Sequence, residues 1–259
     1  MAKLTVADLQ QMKRDGKKIA AAITYDYQMA QIMDRAGIDI LTVGDSIGRN
    51  RYGHDTHHEV TVDQMVDACR AVAKGAKRAV VSCDMPFGPP QRGADAALEA
   101  SIRLVKEGHA EMVKVDNAPA NLDVVRALVR AGIPAWTQFG FSPQSSLVIG
   151  DFNRATPEMV KKVRDQILRD AKALEEAGAS LLDLTHVTPD LYRDVSTAVS
   201  IPVLGGSTHA GPDADGRISG FSYSANTIDS GPRHTVNLAA VIYGAAQEYV
   251  EAVKERRAY

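Results

Sequence analysis

The 259-residue sequence predicts a (β/α)8 TIM barrel of the α/β class, one domain over 1–259 with a short N-terminal helix and a C-terminal helix. Three observations predict it. A helical segment that ends at a glycine and passes at once into a short apolar strand recurs in RAGIDILTV (35–43), KGAKRAVVS (74–82), EGHAEMVKV (107–115), RAGIPAWTQ (130–138) and EAGASLLDL (176–184). The strands are apolar on both faces, the pattern of a parallel sheet covered by helices. Seven or eight such units fit this chain length, the size of a closed barrel rather than an open sheet. No G-x-G-x-x-G follows the first strand, which speaks against a dinucleotide-binding fold.

The elements follow in order. Residues 4–15 read as a short helix ahead of the barrel, and IAAAIT (19–24) as the first strand. Gly37, Gly75, Gly108, Gly132 and Gly178 stand where a helix C-cap wants a left-handed residue. The clearest helical period lies in 156–177, with Thr156 as N-cap, Pro157 in the first turn, and Val160, Val163, Ile167, Ala171 and Leu174 on one face. IPVLGG (201–206) reads as the seventh strand, and an eighth falls near 217–222. Residues 234–256 read as the C-terminal helix.

Composition narrows the class. At 45% hydrophobic and 24% charged residues the chain suits a folded enzyme, not a disordered or fibrous protein. A net charge of −2 gives no general reason to bind nucleic acid or an anionic membrane. Cys69 keeps step with Val62, Met65 and Val72, so it reads as a core thiol, and with Cys83 it is expected to be reduced. MAKLTVADLQQMKRDGKK has no apolar core or cleavage site, and no stretch is long enough to span a bilayer; a cytoplasmic protein is expected.

Active sites of such barrels lie at the C-terminal ends of the strands. Eight or nine residues on from each glycine stand Asp45, Asp84, Asp116, Gly140 and His186. Three carboxylates on one rim raise one another's pKa unless a cation sits between them. Mg2+ is the economical choice, because it needs few protein ligands and keeps several waters. Aspartates that cap the next helix are the plainer alternative. Lys114, two residues before Asp116, points the same way, and a Lys inside a barrel needs a carboxylate or a bound anion. Ser46 follows Asp45 in a G-D-S turn that suits a carboxylate.

These residues carry a resemblance. TYDYQMAQIMDRAGIDILTVGDSIG (24–48), GHDTHHEVTVDQM (53–65), GAKRAVVSCDMPF (75–87), EMVKVDNA (111–118), FGFSPQS (139–145) and ALEEAGASLL (173–182) are similar to the ketopantoate (3-methyl-2-oxobutanoate) hydroxymethyltransferase family, in order from about residue 4 to 206. The resemblance implies a barrel of the phosphoenolpyruvate mutase and isocitrate lyase group, assembled as a homo-oligomer, commonly a decamer. It implies Asp45 and Asp84 as Mg2+ ligands, and Asp116 in place of a Glu that completes the metal surroundings. Ser46 and Lys114 match residues that bind the small-molecule 2-oxo acid. The implied reaction adds the enolate of that acid to the one-carbon unit of 5,10-methylenetetrahydrofolate.

The departures fall in the chemistry. Gln138 stands where the family has a His, and Gln donates a hydrogen bond but carries no proton at neutral pH. Thr185 stands where the family has its catalytic Glu, and Thr alone is no general base. His186 has the intrinsic pKa for acid–base work. Asp183 shares the strand parity of Thr185, about 7 Å deeper, and reads either as a replacement base or as half of a buried ion pair inside the barrel. The residues favour His186 narrowly as the replacement base. Arg49 and Arg51, where the family is mostly apolar or small, suit either a second substrate carboxylate or a subunit interface. His54, His57 and His58 invite a zinc reading, which the oxygen-rich surroundings disfavour. The lost Glu and the added Arg pair keep a second activity open, a Mg2+-dependent C–C lyase or aldolase acting on another anionic oxo or hydroxy acid.

Overall fold

The computed structural model describes residues 2–150, 156–206, 215–220, 237, 238, 240, 241 and 244. The chain divides into two compact units, Met1–Ser219 and Gly220–Tyr259. Eight strands are described: β1 Ile19–Ile23, β2 Ile40–Val43, β3 Val80–Asp84, β4 Met112–Val115, β5 Ala135–Gly140, β6 Leu181–Thr185, β7 Val203–Gly206 and β8 Gly216–Gly220. They stand in sequence order around a closed barrel, and each sequential pair is parallel. Between them run α2 Tyr27–Ala36, α3 Val62–Gly75, α4 Ala94–Lys106, α5 Leu122–Arg130, the single turn α6 Ser146–Ile149, α7 Pro157–Glu176 and α8 Pro189–Ala198, preceded by α1 Val6–Arg14. The expected helix over 234–256 lies mostly outside the described residues, which are helical at Leu238, Ala240, Val241 and Gly244.

Helix α1 opens on a capping box in which Thr5 and Asp8 bond reciprocally to each other's backbone N–H. Its Leu9 is fully buried in the barrel's lower layer with Ile19, Ile40, Val80, Met112, Trp136, Leu181, Leu204 and Ile218. The helix therefore closes the end opposite the candidate site. Lys13 secures it by donating to the carbonyls of Ser196 and Ile201 and by pairing with Asp215 at 2.9 Å.

Three of the five expected left-handed caps are observed, with φ of 95° at Gly37, 77° at Gly132 and 94° at Gly178. Gly75 and Gly108 correct the expectation. Gly75 is the last residue of α3, and a Cβ there would come within 2.7 Å of Ala30 Cβ and of the Tyr27 carbonyl. At Gly108 a Cβ would meet the Leu104 carbonyl at 2.6 Å, and His109 takes the positive φ instead. These two glycines permit close approach rather than an unusual dihedral. Cys69, Met65 and Val72 are fully buried, as the helical period anticipates, and Thr156 caps α7.

Leu9 makes the end-closing role of α1 testable. Leu9→Ala should cost about 2–5 kcal/mol in urea denaturation, the range for a fully buried Leu whose cavity stays open. A loss under about 1 kcal/mol would show that α1 packs loosely on the barrel floor.

Candidate active site

The strand register stacks the charged residues directly above the apolar floor. Asp84, the last residue of β3, pairs in register with Lys114 on β4, which pairs with Trp136 on β5. Lys114 Nζ sits 5.1 Å from the centre of the fully buried Trp136 ring, so it can turn only toward acids. It lies 2.8 Å from Asp183 Oδ2 on β6 and 3.7 Å from Asp84 Oδ1. Asp183 Oδ1 is buried and has no hydrogen-bond partner among the described residues.

Asp45 stands just past β2, and its backbone N–H donates to Asp84 Oδ2 at 3.3 Å. Its carboxylate meets His57 Nδ1 at 3.1 Å and accepts from Gln144 Nε2 at 2.9 Å. Gln144 is a hub. Its side chain also donates to the Met85 carbonyl at 3.0 Å, its backbone N–H donates to Asp116 Oδ2 at 2.9 Å, and its carbonyl lies 3.1 Å from His58 Nε2. Asp116 also accepts from the Asn117 backbone N–H. Asp116 thus holds the turn that delivers Gln144 to Asp45. The sequence singles out His57 only as part of a disfavoured zinc reading and Gln144 not at all, although they lie in the motifs GHDTHHEV and FGFSPQS. Their spacing from Asp45, 12 and 99 residues, carries no local signal.

The remaining candidates spread around this centre. Ser46 Oγ is 2.8 Å from the Tyr25 hydroxyl. Gln138 is buried on β5 in register with Asp183. The Thr185 hydroxyl donates to the Phe139 carbonyl at 2.9 Å, so its proton is committed to the barrel wall. His186, half-buried just past β6, holds a left-handed φ of 53°. Arg49 and Arg51 are exposed in the π-helical turn Gly48–Tyr52, where Arg51 donates to the Tyr25 carbonyl and lies 5.7 Å from the Tyr52 ring.

The electrostatics follow from burial. Burial pushes Asp84 up to about 7, with the neighbouring carboxylates of Asp45 and Asp183 adding to the rise and Lys114 opposing it. Burial likewise raises Asp116 to about 6 and raises Asp183, the latter against the pull of Lys114. Burial also works against an ionised Asp45, but His57 and Gln144 outweigh it and hold Asp45 below the usual carboxylate range. Asp45 and Asp84 present hard oxygens under strain from shared negative charge, the donor chemistry that fits Mg2+. Among the described residues no three His, Cys, Asp or Glu side chains form a ready-made metal cage. A cation here would rest on few protein ligands, with water and ligand oxygens completing its shell.

A closed barrel with clustered acids at the carboxyl ends of its strands defines the class, a (β/α)8 enzyme scaffold with its site at the top face. Comparison with known proteins then places the chain. It belongs to the ketopantoate hydroxymethyltransferase family, whose model matches residues 3–258. Relatives named 3-methyl-2-oxobutanoate hydroxymethyltransferase include one from Alkalilimnicola ehrlichii, 39% identical and covering 97% of this chain and 90% of its own length. Another, from a Cyanothece species, is 36% identical over 97% of this chain and 96% of its own. Among solved structures, a phosphonopyruvate hydrolase aligns with a TM-score of 0.66 at 13% identity, covering 99% of this chain and 89% of its own. A 2,3-dimethylmalate lyase of the PEP mutase/isocitrate lyase superfamily aligns at 0.64 and 15% identity, covering 97% and 88%. At those identities the structural likeness bears on the fold alone.

The raised Asp84 pKa sets a pH dependence. Between 3.8 and about 7 the folded chain holds a proton on Asp84 that the unfolded chain has released. That contribution to stability is complete below the lower value and lost as pH rises toward the upper one. Denaturation of EDTA-treated protein should therefore show stability falling across this window, and Asp84→Asn should flatten the fall. An unchanged slope in Asp84→Asn would assign the effect to other groups.

Proposed function

We propose that the chain is a Mg2+-dependent hydroxymethyltransferase. It joins the enolate of a 2-oxo acid of the 3-methyl-2-oxobutanoate type to the one-carbon unit of 5,10-methylenetetrahydrofolate. The observation that carries this reading is the buried Asp45–Asp84–Lys114 cluster at the strand ends of a chain that matches the family over 3–258. The reading includes assembly as a homo-oligomer. The lyase or aldolase alternative gains no support, because the lyase likeness is confined to the fold.

Asp45 and Asp84 would hold the ion. When bound, Mg2+ supplies Lewis acidity that favours loss of a proton next to the keto group. Lys114 offers a fixed positive charge to the oxygen on which negative charge develops, and its enclosure between Trp136 and two acids means that it need not reorganise. Ser46 binds the substrate carboxylate. Gln138 offers a hydrogen bond to a substrate oxygen in place of the family's His.

The proton acceptor is assigned to Asp183 rather than His186. Thr185 has given its hydroxyl to Phe139, whereas among the described residues Asp183 keeps one buried oxygen without a hydrogen bond beside Lys114. Burial raises Asp183, which makes it a better base than an exposed aspartate.

Two experiments test the reading. Purified protein given 3-methyl-2-oxobutanoate, methylenetetrahydrofolate and Mg2+ should form the hydroxymethylated product, and EDTA should abolish turnover; full activity after EDTA would remove the metal from the proposal. For the base, Asp183→Asn should lower kcat by about 10²–10⁴-fold, whereas His186→Ala should stay within several-fold of the native rate. The reverse ranking would return the role to His186.

A further inference from the structure

The turn after β2 contains a hydrogen-bond chain that the proposed chemistry does not use. Asn50 Nδ2 donates to the Tyr25 hydroxyl oxygen at 2.8 Å. Tyr25 and Ser46 hydroxyls lie 2.8 Å apart, a contact whose direction the distance alone leaves open. The Asn50 contact favours one direction. A Tyr hydroxyl carries one proton. Asn50 Nδ2 can only donate, so among the described contacts Ser46 Oγ is the acceptor open to that proton. The Ser46 proton is then left to donate elsewhere.

The surroundings keep this order. Burial pushes Tyr25 up to about 12, so it remains a donor across the physiological range. Gly44 lets the Ser46 side chain fold back, since a Cβ there would lie 2.8 Å from Ser46 Oγ. Arg51 donates to the Tyr25 carbonyl at 3.2 Å, which ties the turn to the residue it orients. Asn50 and Arg51 thus grip Tyr25 at its two ends.

We propose that Asn50 and Tyr25 are positioning residues that polarise Ser46, so that its hydroxyl donates to an anionic oxygen of the bound ligand. This rests on the reading that Ser46 binds the 2-oxo acid carboxylate. Neither residue touches the substrate in this account. Their effect belongs to binding, with little effect on the chemical step.

The test is a double-mutant cycle read by calorimetric binding of oxalate with Mg2+ and by steady-state kinetics on 3-methyl-2-oxobutanoate. Tyr25→Phe keeps the ring and should weaken oxalate binding and raise KM by about tenfold, the scale of one hydrogen bond to a charged group, with kcat within about twofold. In a Ser46→Ala background the same change should add nothing, because the proton it orients is gone. Additive losses would overturn the relay and leave Tyr25 a structural role. Asn50→Asp supplies the sharper arm. A carboxylate there accepts from Tyr25, reverses the chain, and turns the Ser46 proton back toward Tyr25. Its weakening of oxalate binding should vanish in the Tyr25→Phe background; persistence there would mean plain charge repulsion and would overturn the proposal. If Ser46→Ala itself leaves oxalate binding unchanged, the assignment of Ser46 to the substrate fails, separately from the relay.

Discussion

The interaction on which the rest depends is the ammonium of Lys114 held inside the barrel between Asp183 and Asp84. A lone charge at that depth would be prohibitively desolvated, and even a pair gains little net stability against well-packed apolar residues. Its presence is therefore better explained by chemistry than by folding. The arrangement also dictates its neighbours. Trp136 blocks the way down, so the charges face the strand ends, and α1 with Leu9 seals the floor that makes this layering possible.

Around that pair the acids are graded by their contacts rather than by their chemistry. Asp45 is stabilised as an anion by His57 and Gln144, the Asp84 anion is disfavoured first by burial and then by its carboxylate neighbours, and Asp116 is spent on backbone N–H groups. Carboxylates on three successive strand ends thus do different work. Gln144 links them: its backbone is held by Asp116, and its side chain reaches Asp45 and the Met85 carbonyl. A turn after β5 is in this way rigidly tied to residues after β2 and β3, which keeps the site from depending on loop order.

Thr185, where the family resemblance leads one to expect a Glu, looks like a loss of function when read along one strand. In three dimensions the inner carboxylate two residues earlier, Asp183, sits against Lys114, and the Thr185 hydroxyl closes onto the Phe139 carbonyl. Glycine at 140 admits the neighbouring backbone bond from Phe141 N–H to the Thr185 carbonyl, since a Cβ there would lie 2.6 Å from that carbonyl, and its φ of 95° suits no other residue well. The carboxylate lies deeper in the barrel, two residues before Thr185 on the same strand.

The sequence by itself determined the barrel. Apolar runs such as ILTV and MVKV after helical periods admit few other arrangements, and the spacing from glycine to strand end located Asp45, Asp84, Asp116 and His186 at one rim. It also marked Lys114 as a buried charge in need of a partner. What only the tertiary structure decided were the partners themselves. Gly75 and Gly108 look like left-handed caps in sequence, yet serve close packing against Ala30, Tyr27 and Leu104. Asp183 meeting Lys114, Gln144 meeting Asp45, and Asn50 meeting Tyr25 join residues 69, 99 and 25 positions apart. Periodicity reports which face a side chain takes, because burial repeats with the backbone. It does not report what waits on that face, because barrel closure sets those contacts, and closure brings together strands that are remote in the chain.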